Sequence, residues 1–241
     1  MNFRGLFKYA GICAIGFAIV SLASYVASVS ANGFLIASST PFSPDRIYSM
    51  LQLRWNHIAT RLDLISYFLL IPSLVGIFAY LRERRPGRAH LGLAFAAFAQ
   101  LGFFTSSAMG SAVIGLVQAP LTDSLKERLA AMDLLSFSFF LPALYSMAAA
   151  NLLLGSALRT QAGLATNVGN FFLVQVAGFL IASAGFIANQ DVVGNIGILI
   201  NLLAMVATYV AAGVLLRQTS KDETETKVGS HERPRAAGAS A

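Results

Sequence analysis

Six long apolar stretches, at residues 9–29, 60–81, 89–117, 129–158, 168–187 and 192–216, make up most of the chain. A helix needs about 20 apolar residues to cross the hydrocarbon core of a bilayer, and each stretch reaches that length. Water offers no alternative. Of the 241 residues 56% are hydrophobic and only 12% charged, against about 25% charged in a soluble domain. The expected fold is therefore all-α, a polytopic membrane bundle of six transmembrane helices within residues 1–216. Residues 217–241 are polar and short of large apolar side chains, which predicts a disordered cytoplasmic tail.

The intervals between the stretches carry start and stop signals. A secretory signal peptide competes for the first stretch, since Val29-Ser30-Ala31 is an acceptable cleavage pattern. The run exceeds the usual ~7–15 residue signal core, so a retained helix is the preferred reading. Ser39-Thr40-Pro41 and Ser43-Pro44-Asp45 signal a turn and a helix start. From Arg46 onward Ile47, Met50, Leu51, Leu53 and Ile58 recur at helical spacing with Tyr48 and Trp55 among them, predicting an amphipathic helix at the membrane interface. Thr122-Asp123-Ser124 offers caps for the helix that feeds the fourth span. Twelve of the 17 Lys and Arg residues fall on the side that holds both termini, which predicts cytoplasmic N- and C-termini. The net charge of +6 is read as topology rather than as a nucleic-acid footprint.

One segment occurs twice. Leu62-Asp63-Leu64-Ile65-Ser66-Tyr67 runs on to Pro72-Ser73-Leu74, and Met132-Asp133-Leu134-Leu135-Ser136-Phe137 runs on to Pro142-Ala143-Leu144, at one constant offset. The expectation is a parallel internal duplication of a helix hairpin, helices two and three matching four and five. Such a repeat is not the inverted kind common in secondary transporters.

The candidate site residues follow from this repeat. An acid at membrane depth is costly and marks a functional site by default, so Asp63 and Asp133 are candidate ligand-binding residues, with Ser66 and Ser136 beside them. Both acids also sit near a helix start, where the positive end of the dipole favours a carboxylate for purely structural reasons. Pro72 and Pro142 lie nine residues beyond the acids, ~13 Å deeper at 1.5 Å per residue, and are expected to kink their helices. Asn151 stands five helical turns from Asp133 and is expected on the same face. Asn201 belongs to a small and polar stripe with Gly197, Ala204 and Thr208, and Gln100 and Gln175 add further amides. Gly102, Ser106 and Gly110, flanked by Ser107, Ser111 and Gly115, predict a face for close helix packing. Arg82, Arg84, Arg85 and Arg88 form the densest basic cluster, expected to contact lipid headgroups. No phosphate loop, zinc helix or nucleophile elbow is present, and the single cysteine, Cys13, excludes a disulfide within the chain. Neither a cofactor nor a metal is expected.

The paired Asp-Leu-x-Ser helices, the arginine-rich turn after the second span and the six-helix layout resemble one of the uncharacterised bacterial integral membrane families. The resemblance covers residues 6–216. It implies a multi-pass protein of the bacterial inner membrane and carries no activity or site residues. Three functions remain open. The leading one is a non-enzymatic protein that binds or passes a small amphipathic or lipid-like molecule. The second is a structural or regulatory subunit that docks on a membrane-protein partner, or on a second copy of itself, through the Gly102/Ser106/Gly110 face. The third is a membrane-embedded enzyme.

Overall fold

Over the residues described by the computed structural model, 4–34, 43–116 and 120–231, the chain forms seven helices and no strand. They are α1 (Arg4–Asn32), α2 (Pro44–Gln52), α3 (Arg54–Leu81), α4 (Pro86–Leu116), α5 (Asp123–Arg159), α6 (Leu164–Ile187) and α7 (Asp191–His231). All but the short α2 are long and apolar enough to cross a membrane, so this is a multi-pass membrane protein with six candidate spans. The turn signal at Ser39-Thr40-Pro41 and residues 232–241 of the expected tail lie outside the described residues.

Helix ends follow local chemistry. Gly33 takes φ +74, a left-handed backbone open to glycine, where α1 stops. Thr122 caps α5, its hydroxyl accepting from Leu125 N at 3.2 Å. Ser43 caps α2 in the same way, accepting from Arg46 N at 3.3 Å. Leu53 then turns extended and ends α2, so the interfacial helix is shorter than expected, and Trp55 and Ile58 belong to α3. The tail differs more. α7 continues past Leu216 to His231, so residues 217–231 are described as helix. That stretch contains no proline, and extending an existing helix needs no new nucleus.

The spans close into an up-and-down ring. α1 packs between α3 and α7, α4 between α3 and α5, and α6 between α5 and α7. Six alternating spans bring both helical termini to one end, where the Ser220 hydroxyl donates to Arg4 O at 3.0 Å. This terminal half is filled by Phe7, Ala10, Leu74, Ile77, Leu154 and Leu216 among others. α2 lies at the opposite end, its Tyr48 and Leu51 resting on Val113, Leu125 and Leu129. An Asp45–Lys126 ion pair at 3.2 Å ties it to α5.

Glycine lets most neighbours approach. Gly11 and Gly213 join α1 to α7, Gly76 meets Ala10 between α3 and α1, Gly155 and Gly169 join α5 to α6, and Gly178 and Gly197 join α6 to α7. The α3–α4 seam uses rings instead, with Tyr67 stacked on Phe103 at 5.6 Å and Phe68 edge-on to Phe104 at 5.5 Å. Part of the small-residue face on α4, at Gly102 and Ser106, is used within the chain, against α5. A Cβ at Gly102 would lie 2.6 Å from Ala143 Cβ and 2.8 Å from Phe139 O, and Ser106 shares a 2.8 Å hydrogen bond with Ser136. Gly102→Ile should therefore destabilise the fold by about 1–3 kcal/mol or more, as overpacking does. Gly115→Ile, with nothing within 4 Å of its Cβ position, should leave stability unchanged. Denaturant or thermal unfolding in mild detergent reads both.

Candidate functional site

The half of the ring nearer α2 is not filled. A cavity of about 320 Å³ lies there, walled by all six spans. Phe17, Tyr67, Phe103, Phe140, Phe179 and Tyr209 supply aromatic surface. Towards the α2 end, Asp63 on α3 faces the serines of α1. Ser24 donates to Asp63 Oδ1 at 2.5 Å, and Ala59 O lies 3.1 Å from the same hydroxyl. Ser66, buried one turn along α3, donates to the Asp63 backbone carbonyl at 2.7 Å. Ser21 and Ser28 extend the serine row along α1. Sequence reasoning missed this row, although serines at i, i+3 and i+7 beside Tyr25 mark one helix face. Among the described residues that line the cavity none is Lys, Arg or His.

Deeper in the ring a chain of amides crosses three helices. Asn151 on α5 donates through Nδ2 to Gln175 Oε1 on α6 at 3.1 Å. Gln175 donates through Nε2 to Thr208 Oγ1 on α7 at 2.6 Å, and Thr208 donates to Ala204 O at 2.7 Å. Asn201 donates to Gln175 O at 2.8 Å. The direction of this chain is determined by its last member. Ala204 O accepts only, so Thr208 must give it its proton and accept from Gln175. Gln175 then turns its oxygen to Asn151, and Asn151 turns its NH₂ to Gln175. Asn151 Oδ1 is left buried without a partner on the cavity wall.

Four of the residues singled out from sequence, Asp63, Ser66, Asn151 and Asn201, therefore meet around one cavity. Asp133 and Ser136 do not. Asp133 is exposed, and Ser136 is held by Ser106. Asp133 and Asn151 stand five helical turns apart on the continuous α5, but their surroundings differ: Asn151 is buried against α6, whereas Asp133 is exposed. Pro72 and Pro142 both sit inside continuous helices. Gln100 is buried with neither Oε1 nor Nε2 partnered, away from the cavity wall. At the terminal end the arginines reach neighbouring chain. Arg85 Nε donates to Thr160 Oγ1 at 3.2 Å and Arg88 to Ser156 O at 3.4 Å, which places positive charge at the C-terminus of α5. Arg84 lies 4.2 Å over the Tyr80 ring, and Arg82 pairs with Glu83 at 3.5 Å.

Among the described residues no three His, Cys, Asp or Glu side chains gather closely enough to hold a metal. No family model, curated protein or solved structure matches the chain. The site is thus defined by its own geometry, a cavity with a partly aromatic wall, a carboxylate near one end and an amide deeper in. The amide chain separates stabilising from idle polar groups. Gln175→Leu should cost about 1–3 kcal/mol by stranding Asn151. Gln100→Leu, which removes an unpartnered buried amide, should be neutral or stabilising in the same unfolding measurement.

Proposed function

We propose that this protein is a non-enzymatic, multi-pass membrane protein that binds a small amphipathic molecule within its ring of spans. The observation that carries the reading is the cavity, in which an aromatic wall is combined with a few convergent polar groups. That combination is typical of small-molecule sites, which bury most of a ligand's surface and orient it with few hydrogen bonds. Asp63, Ser66, Asn151 and Asn201 are the residues assigned to the ligand. Asp133 and Ser136 leave the assignment.

The setting we propose is a bacterial inner membrane with both termini in the cytoplasm. The excess of basic residues at the terminal end supports this orientation, as does the arginine cluster after α3, suited to lipid headgroups. We also read α3–α4 and α5–α6 as copies of one hairpin. Their parallel course, their matched interior prolines and the shared position of Leu70 and Phe140 on the cavity wall support it. A second function, subunit of a larger membrane complex, is favoured by the exposed stretch of α5. Leu134, Phe137 and Phe139 are exposed there beside Asp133.

Native mass spectrometry in mild detergent tests the leading reading. The wild type should carry a discrete bound mass, and Ala148→Phe, which fills the cavity, should lose it while unfolding at the same temperature. An unchanged bound mass in the variant removes the cavity as the site. A mass corresponding to a protein partner, lost on Phe137→Ala, would put the subunit reading first. Topology has its own test. In a Cys13→Ser background, Gly87→Cys should react with a membrane-impermeant thiol reagent only after cell lysis, and Gln190→Cys in intact cells.

A further inference from the structure

The hydrogen bonds around the cavity point one way. Ser24 donates to Asp63, Ser66 to the Asp63 carbonyl, Asn201 to the Gln175 carbonyl and Asn151 to the Gln175 side chain. The serine hydroxyls thus spend their only proton on the protein and each asparagine amide spends one of its two N–H groups, so acceptors predominate among what is left for a guest. Asn151 is the clearest case: the residue lines the cavity at 3% exposure, and its buried Oδ1 has no partner. Asp63 adds a carboxylate with one oxygen held by Ser24, and no ion pair to it is found among the described residues. Burying an acid without a counter-charge is expensive in a bilayer. A guest that brings the missing positive charge and the missing donors meets both demands.

We infer that the cavity takes an organic ammonium ion, its N–H groups on Asp63 and a second donor, such as a hydroxyl, on Asn151 Oδ1. This rests on the reading of the cavity as a binding site and names the class of molecule. Three further features agree. Among the described residues no basic side chain lines the wall to repel a cation. Tyr67 and Phe103 lie on the wall near the acid, and aromatic faces attract ammonium groups. The spacing also suits a short chain. Ser24, at the level of Asp63, stands seven residues along α1 from Phe17. Phe17 touches Tyr209 at 4.6 Å, beside the Thr208 end of the amide chain. Seven residues span roughly 10 Å of axis at 1.5 Å each. That is the axial depth between the acid and the amide chain, so a few carbons between ammonium and hydroxyl set the scale that the probes bracket.

Calorimetric titration of the full chain in mild detergent separates the outcomes. The probes are amino alcohols of three to eight carbons, the matching alkylamines, the matching diols and the matching carboxylates. The amino alcohols should bind best, with an optimum chain length, alkylamines less well and carboxylates not at all. Asp63→Asn should weaken both ammonium probes about tenfold or more, the scale of a lost charge-assisted hydrogen bond. It should leave the diols unchanged. Asp133→Asn, an acid off the cavity, should bind as wild type. Asn151→Ala should reduce the amino alcohol to the affinity of its alkylamine. Should that variant not fold, an optimum chain length in the wild type reads the same contact. Diols or carboxylates binding more tightly than amines would overturn the ammonium inference and leave the amphiphile reading standing. So would ammonium binding that ignores Asp63→Asn, or sodium ions binding through Asp63 where amines do not. Failure of every probe on folded wild type, with no bound mass by native mass spectrometry, would bring down both.

Discussion

Hydrocarbon gives a transmembrane helix neither hydrogen-bond partners nor any reason to leave it. Two helices join there only if their backbones come close enough for dense packing or if polar groups find each other. Both devices are present, and they are unevenly distributed. Gly11 against Gly213 and Gly155 against Gly169 draw the terminal half together. Leu154, Leu158 and Leu216 are then packed to the point of full burial. Towards α2 the glycines persist between α6 and α7, but α5 and α6 are instead bridged by the Tyr145–Phe179 ring pair at 5.1 Å. Large side chains hold helices apart where small ones would draw them in. The cavity is the space that results.

The polar residues of the ring obey the same rule in another form. An amide inside a bilayer is costly unless it is satisfied, and satisfaction has a direction. A chain that ends on a backbone carbonyl, as Thr208 does on Ala204 O, forces every amide before it to turn its donor inward along the chain. The group at the open end must then present an acceptor. Asn151 occupies that end because its helix, α5, is the last of the three crossed. The polarity of the cavity is therefore a consequence of how α6 and α7 solve their own packing.

Much of the fold could be read from hydropathy, because six apolar runs of spanning length leave little freedom in lipid. The site was readable only in part. Asp63 and Asp133 share their neighbours in sequence but not in space, and a single chain read alone shows only the former. The α4 face of Gly102 and Ser106 was recognised as a packing face. Its occupant, α5 of the same chain, depends on ring order, which periodicity does not contain. Serines such as Ser21, Ser24 and Ser28 are common in membrane helices, so their shared face gains meaning only once Asp63 stands opposite. The helical continuation of α7 was hidden by composition, since a polar stretch reads alike whether it is free or extends an existing helix.

The course of α5 bears on how a guest would reach the cavity. Ala143 is fully buried, yet every residue from Phe137 to Pro142 is exposed. Pro142 stands at that boundary and removes the hydrogen bond that would tie it to Ser138 O, so the helix is least constrained where it stops having neighbours on all sides. Phe140, two residues before Pro142, lines the cavity and is 37% exposed. A guest entering from the lipid side near Phe140 would pass between aromatic and aliphatic groups such as Phe137, Phe139 and Leu141. A hydrated ion would lose its water shell there and gain nothing in exchange. An amphiphile already dissolved in the leaflet would pass with its chain still in an apolar setting, and its polar end would travel at the depth where Asp63 and the serine row are found. Entry from the lipid side would therefore favour the same kind of molecule as the wall.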